Sequence, residues 1–560
     1  MEELSKSQRA RIAIRVFKTT ADALALRGYY KPSGRSGQTL TEALKMFSPE
    51  IYGTMNDPRI IELKGLEYVI DRLPKGIESC TRIILTAQEN LDDTSFEKIE
   101  PLKRRRTSYI VNEKEICFVI TRGLSEIYDI LTHITFLNIE AEKIKNQMKG
   151  EKGNVSKEWL ELEKTVQKDH EPQGSELDQA IWNLSIILGR TYHETKDTYN
   201  CLEKNRQEFN SNRGLFRIVY SLGKRVYEEI STKENELLVY FTPSMKEMIG
   251  HHKYSRKWAN TIKETLVSLG LQERHLHIVS ANLHSVVNIV YGYSAVNSVT
   301  QHQDCRDIYC LFNMLRDRDE AVKTYAREHG FHEIPDTSGT HIDCQLIDTA
   351  LLGNVTLHPD FHANMSAAES EKPVILVMDY AFGTQAFEAM DELLSPFRKG
   401  DAVIKFPVKS ISVMGKAGIL PGKKGDIMLA AAHVLEGTPH NYIVYNDLKA
   451  EDFDDSVTVY TGVIVTVLGT SLQNRDVLEK FQESSWKAVG LEMEGGHYQR
   501  AINAAIIRGH ISGDVKVRYA YYASDNPLVS GQTLASGSMG KEGVRPTYMI
   551  TKIILEKILN

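Results

Sequence analysis

Two carboxylates flank a methionine in VGLEMEGGHYQRA, the segment from Val489 to Ala501. An apolar run leads into Glu492, and Gly495, Gly496 and a helical pattern follow Glu494. In extended backbone residues i and i+2 face the same side. Glu492 and Glu494 can therefore open onto one pocket at the carboxyl edge of a sheet, where α/β proteins place ligands. A carboxylate there can accept two hydrogen bonds from a ribose cis-diol while Met493 packs on the sugar face. A surface acid pair ahead of a helix, favoured by its dipole, is the plainer account of the same residues.

Three more segments carry chemistry of the same kind. In YYASDNP, Tyr521 to Pro527, Asp525 closes an apolar strand. Burial there would raise its pKa and let it hand a proton to a leaving group, although an Asx turn is the commoner role of a lone Ser-Asp-Asn. In VMGKAGILPGKKGDIMLAAAHV, Val413 to Val434, Gly415 and Gly418 permit close backbone approach after a strand, and Asp426 opens the next one. In DYAFGTQAFEAMDELL, Asp379 to Leu394, a strand ends near Gly383 and Thr384 and a helix begins, so free amides there would favour an anion. Ordinary Gly-rich and strand–helix turns explain the last two equally well when each is taken alone.

These segments need a sheet to hold them. Short apolar runs rich in β-formers occur at 237–243, 275–281, 374–380, 402–415, 426–434, 457–469 and 517–524. Amphipathic helical patterns at 385–394, 475–483 and 496–508 fall between several of them. Strands alternating with helices predict an α/β fold with a largely buried sheet over 236–560, interrupted by a His- and Asp-rich insert at about 294–372 that could lie over the pocket. Residues 1–235 read as a mainly helical N-terminal domain, with helical spacing in Leu63–Leu73 and Ile127–Leu137 and an exposed connection from Lys149 to about Glu176. The basic run Lys103 to Arg106 reads as a solvated face.

Composition narrows the class. At 560 residues the chain is long enough for two or three domains, and 42% hydrophobic with 25% charged residues is ordinary globular composition. A net charge of −6 argues against a broad nucleic-acid or membrane surface. The six cysteines form no CxxC pair, which predicts a reducing compartment and no zinc ribbon. The N-terminus lacks a signal-peptide apolar core and no stretch is long enough to span a bilayer, so the expected location is the cytoplasm. No metal-ligand spacing is evident and no metal or other cofactor is expected.

In order and spacing, the four segments together resemble the nucleoside phosphorylase superfamily over about residues 370–560, and within it most of all AMP nucleosidase. The resemblance implies a phosphorylase/nucleosidase-type α/β/α domain. It implies that Glu492-Met493-Glu494 binds ribose, that Ser524-Asp525 supplies the acid that protonates purine N7, and that Gly415 to Gly418 with Gly425-Asp426 form the glycine-containing strand end and the next strand start. HIVSANLHSVVNIVYG, His277 to Gly292, looks like the first strand and helix of the catalytic domain and would bring Asn282 and His284 to the site. Leu491 and Phe382 are candidates to pack on the base, with Gly383 and Thr384 beside them. For a 5′-phosphate the candidates are Lys416, His284, Lys541 and Arg545, with Gly418 nearby. Hexameric purine phosphorylases carry an arginine where this chain has Val413. An apolar side chain cannot clamp phosphate, so hydrolysis is expected ahead of phosphorolysis, with Lys416 keeping the second open. His497 and Tyr498 stand where the family has small residues and could reshape the ribose end. The expected partner is a small purine nucleoside or nucleotide, with no nucleic acid and no membrane, and the family implies a homo-oligomer. A nucleotide sensor with weak turnover, the helical half relaying the signal, is the reading from another class.

Overall fold

The computed structural model describes residues 4–88, 91–104, 106–149, 154–168, 170–297, 307–315, 318–364, 372–529 and 539–560. The chain divides into two compact units, one of residues 1–251 with 471–477 and one of 252–470 with 478–560.

The first unit contains a six-stranded sheet as well as helices. Its strands are β1 (Tyr29–Tyr30), β2 (Arg82–Thr86), β3 (Glu97–Ile99), β4 (Ser108–Asn112), β5 (Glu115–Val119) and β6 (Leu238–Phe241), in the order β1-β6-β2-β5-β4-β3. This differs from the sequence reading in two ways. The apolar run after Glu236 does not open the second unit: as β6 it pairs parallel with β2 and completes the first sheet. The strands themselves are only two to five residues long and are hard to see against the helical background. The helix Gly123–Gln147 is buried on almost every side. Its polar residues are accordingly paired: Asp129 accepts from Arg106 Nη2 at 2.6 Å, and Lys143 donates to the Met55, Asp57 and Ile60 carbonyls and lies 2.9 Å from Glu140. The basic run thus contributes an internal ion pair, with Arg106 only 2% exposed, where sequence suggested a solvated face; Arg105 lies outside the described residues.

The second unit is built on β7 (Leu276–Ser280), β8 (Phe331–Ile334), β9 (Cys344–Asp348), β10 (Val374–Met378), the small hairpin β11 (Phe397–Lys399) and β12 (Ala402–Ile404), β13 (Val408–Ile419), β14 (Ile427–Leu435), β15 (Asn441–Ile443), β16 (Val459–Thr466), β17 (Gly490–Glu492) and β18 (Lys516–Asp525). The main sheet runs β15-β14-β16-β17-β13-β7-β10-β9-β8, and β18 pairs with both β13 and β14. The pairings β13–β18–β14–β16–β17–β13 close a ring, so one end of the sheet is a small barrel. Both faces are covered. Val374, Leu376 and Met378 of β10 pack into one core with the helices Lys253–Ser268, Gln385–Leu394 and Gly495–Ile507. Ile375 and Val377 pack into the other with Leu283–Asn297 and the C-terminal helix Val544–Leu559. Coverage on both faces explains the unbroken apolar run VILVM. Within the segment read as an insert, β8 and β9 are antiparallel strands that extend the sheet beyond β10, and 298–306, 316–317 and 365–371 lie outside the described residues. No helix among the described residues is long and apolar enough to cross a membrane.

Candidate functional site

Strand register sets the level of the site. Ser280, the last residue of β7, lies beside Met378, the last of β10, and beside Val413, in the middle of β13. β13 runs on past this level to Ile419. There it pairs with β18 on one side and meets β17 through Gly418 and Ile419. The ends of β7, β10, β17 and β18 therefore gather around residues 414–419 of one long strand.

Asp525 is the last residue of β18 and sits in register with Gly418, which also pairs with Leu491. Its carboxyl is buried. Oδ1 accepts from the Ser524 hydroxyl, whereas Oδ2 has no hydrogen-bond partner among the described residues. Burial pushes its pKa above the ordinary carboxyl range, against the opposing pull of Ser524 and the Lys416 ammonium. Asn526 locks the turn that follows, its Nδ2 donating to the Leu420 and Gly422 carbonyls at 3.1 and 2.9 Å. Lys416 is exposed between the buried residues Gly415 and Ala417, although its strand is internal. Its ammonium is near enough to Asp525 to pull that acid's pKa down.

The EME segment divides its two acids between different tasks. Glu492 is buried: Oε1 accepts from Thr466 Oγ1 at 2.6 Å and lies 3.5 Å from His433 Nδ1, and Oε2 accepts the Glu494 and Gly495 amides. Burial alone would raise its pKa, but His433, Thr466 and the Gly495 amide hold it below the ordinary value. It caps the helix Gly495–Ile507 from inside. Glu494 is half-buried and accepts the Gly383 amide at 2.9 Å. Gly383 has φ of +55°, a left-handed conformation that suits glycine and turns that amide toward the acid. The Phe382 amide goes to Gln385 Oε1 at 3.0 Å. Two amides of the turn that sequence reserved for an anion are thus taken by side chains. Thr384 starts the helix, its carbonyl accepting from Phe387 at 3.0 Å.

Leu491 and Met493 share one apolar cluster, against which Phe382 and Leu528 pack half-buried. Met493 and Phe382 precede Glu494 and Gly383 directly, and Leu528 lies three residues beyond Asp525. Tyr498 is in the core, its hydroxyl 3.1 Å from Ser280 Oγ, and His497 is half-buried beside it. Val413 is likewise a core residue. Asp426 is buried, and Oδ2 accepts the Lys423 amide at 2.9 Å, so it fixes a turn.

Asn282 and His284 follow β7 and line a cavity of about 390 Å³ with Tyr522 and Tyr548. Lys541 and Arg545 do not join them. Lys541 is exposed in the turn Gly540–Gly543, and Arg545 is exposed with Nη2 2.7 Å from Ser456 Oγ and its guanidinium over the Tyr309 ring. Sequence reasoning missed Tyr380. Its ring stands over Gly415, where an added Cβ would lie 3.4 Å from Cε1, and Asn282 is close enough to influence its hydroxyl. Its signal was position alone, two residues beyond a strand end. No group of three or more His, Cys, Asp or Glu side chains is placed to hold a metal among the described residues.

A model described as a family of unknown function (DUF6909) matches residues 38–303 and 310–560. The chain belongs to that family. No curated protein matches this DUF6909 chain. Solved structures similar to it include a futalosine hydrolase of Helicobacter pylori, at 13% identity over 51% of this chain and 98% of that one, with a TM-score of 0.30. A 5′-methylthioadenosine/S-adenosyl homocysteine nucleosidase of Campylobacter jejuni matches at 12% identity over 51% and 99%, with a TM-score of 0.30. A uridine phosphorylase of Schistosoma mansoni matches at 12% identity over 51% and 89%, with a TM-score of 0.29.

Proposed function

We propose that the second unit cleaves the N-glycosidic bond of a purine nucleoside or nucleotide by hydrolysis. The observation that carries this reading is the Asp525 carboxyl. It is buried, raised in pKa, without a hydrogen-bond partner at Oδ2 among the described residues, and placed at a strand end near Lys416. A neutral carboxyl in such a place can give its proton to a base nitrogen as the base departs. Glu494 supplies what the other half of the molecule requires. A carboxylate beside the ribose hydroxyls both positions the sugar and stabilises the positive charge that grows on it. The base then lies against the apolar wall of Phe382, Met493 and Leu528.

The step balances simply. The C1′–N9 bond breaks with its electron pair going to the base, and Asp525 protonates the base, with N7 as the acceptor. Water forms the new bond at C1′ and its proton restores the Asp525 carboxyl. Free base and the reducing sugar leave. Water is favoured over phosphate as the nucleophile because Val413 is buried in the core and the Gly383 amide is already taken by Glu494.

Chromatography of products from a panel of purine nucleosides and nucleotides, with and without phosphate, tests the reading. Free base that accumulates without phosphate is the expected result. Base release that depends on phosphate and yields ribose 1-phosphate would make the chain a phosphorylase, and tight binding without product would favour a sensor.

A further inference from the structure

Gln385 opens the helix that follows β10 and is only 1% exposed. Both ends of its side-chain amide are used. Oε1 accepts the Phe382 amide at 3.0 Å, and the Gln385 backbone amide returns to the Phe382 carbonyl at 3.2 Å, so side chain and backbone together close the turn 382–385. Nε2 donates to the carbonyl of Thr340, a fully buried residue, at 2.8 Å. Inside this turn lies Gly383, whose amide meets Glu494.

Thr340 belongs to the connection between β8 and β9, which ends level with the end of β10 because Cys344 is the register partner of Met378. That connection is itself tied down. The Asp336 carboxylate accepts the Ser338, Gly339 and His341 amides at 2.8, 3.1 and 2.7 Å. Trp258 Nε1 donates to the Ile342 carbonyl at 2.8 Å, and the Asp379 amide donates to the Asp343 carbonyl at 2.9 Å. Thr340 is thus a fixed point, and Gln385 is the side chain that ties the turn to it. An apolar side chain of the same length would fill the space and forfeit both bonds.

We propose that Gln385 is a positioning residue that acts through Glu494: by tying the turn 382–385 to Thr340 it fixes the Gly383 amide, and that amide aims the Glu494 carboxylate at the sugar. The inference rests on the glycosidase reading for the role of Glu494, and it gives the connection between β8 and β9 a part in building the site.

The test uses Gln385→Met in the full chain, with two readouts. The Gly383 amide keeps its own acceptor in this variant, so its hydrogen exchange, followed residue by residue, reports the turn alone; it speeds up by at least about tenfold as the turn opens more often. Turnover of the best purine nucleoside or nucleotide at saturating concentration falls by about 10–100-fold, the scale of a misplacement of about 1 Å. In the Glu494→Gln background the same substitution costs no further turnover, because the two residues act as one unit. If Gln385→Met does not fold, Gln385→Asn, an amide one methylene too short to span both partners, is read in the same way. Unchanged exchange at Gly383, unchanged turnover, or losses that multiply in the double variant overturns the proposal. Faster exchange at Gly383 in a chain whose wild type releases no base from any nucleoside or nucleotide refutes the glycosidase reading and leaves Gln385 as the residue that fixes Gly383.

Discussion

Replacing Asp525 with asparagine keeps the shape of the side chain and removes the transferable proton. General acid catalysis contributes about 10²–10⁴-fold, so Asp525→Asn should raise the barrier by about 3–5 kcal/mol at ~1.36 kcal/mol per tenfold. The pH dependence follows from the raised pKa. The wild-type rate is supported while the carboxyl is protonated and falls as pH rises through that value, whereas the residual rate of Asp525→Asn lacks this limb. Ser524 donates to Oδ1 and pulls the pKa down, so Ser524→Ala moves the limb to higher pH. Stability changes with pH in the same sense as activity. With the folded pKa above the unfolded one, the contribution of Asp525 is fully present below an unfolded pKa of ~3.9. It is lost as pH rises through the folded value. Asparagine cannot ionise, so the variant melts no lower than wild type at neutral pH. Base release by chromatography at several pH values, with melting temperatures measured on the same samples, checks all three statements. Near-wild-type release from a folded Asp525→Asn protein, or a limb that Ser524→Ala leaves in place, refutes the assignment.

Glu494→Gln keeps an acceptor for the Gly383 amide but removes the charge beside the sugar; turnover at saturating nucleoside should drop by about 10²-fold, the scale of one electrostatic contact to a transition state, with the melting temperature unchanged. Glu492→Ala strands the Thr466 hydroxyl and the Glu494 and Gly495 amides in a dry interior, at a cost of about 3 kcal/mol, and should appear first as a lower melting temperature; an unaltered melting curve would mean that this carboxylate caps nothing. In the first unit, Lys143→Met leaves the Met55, Asp57 and Ile60 carbonyls and the Glu140 carboxylate without their shared cation. The expected loss is about 3–5 kcal/mol, read as faster limited proteolysis within residues 4–251.

Legibility followed the reach of the interaction. VILVM announced a doubly covered strand, and Gln385–Leu394 and Arg475–Glu483 coincide with their amphipathic patterns, because burial imposes a period on neighbouring residues. The first unit's sheet was not legible. A strand such as Arg82–Thr86 is shorter than any useful window, and the partner that gives β6 its place lies about 150 residues earlier in the chain. Spacing proposes Asp525 and the EME segment for the candidate site. The division of labour between Glu492 and Glu494 is beyond spacing, since it depends on Thr466 and His433 of other strands. Arg545 shows what spacing leaves out: chosen as a cation near glycines, it lies over the Tyr309 ring and against Ser456.

The strongest argument that this end of the sheet does chemistry is the contrast between its two buried acids. Glu492 and Asp525 close strands that both meet Gly418 or its neighbours, and both are almost wholly out of water. A fold indifferent to their charge would give them similar surroundings. Instead Glu492 is saturated with donors and held below the ordinary pKa, while Asp525 has one hydroxyl and one oxygen without a partner among the described residues and is pushed above it. A carboxyl raised in pKa is the one that can hand a proton to a leaving group, and an acid saturated with donors is the one that holds the backbone around it in place. The ring closure makes the contrast possible. Because β18 bridges β13 and β14, Asp525 is carried to the barrel edge with only Ser524 to meet it, whereas β17, inserted between β13 and β16, brings Glu492 against Thr466 and near His433. The leftover hydrogen-bonding capacity of Asp525 is thus a consequence of topology, and under the proposed function a base nitrogen is the partner expected to complete it.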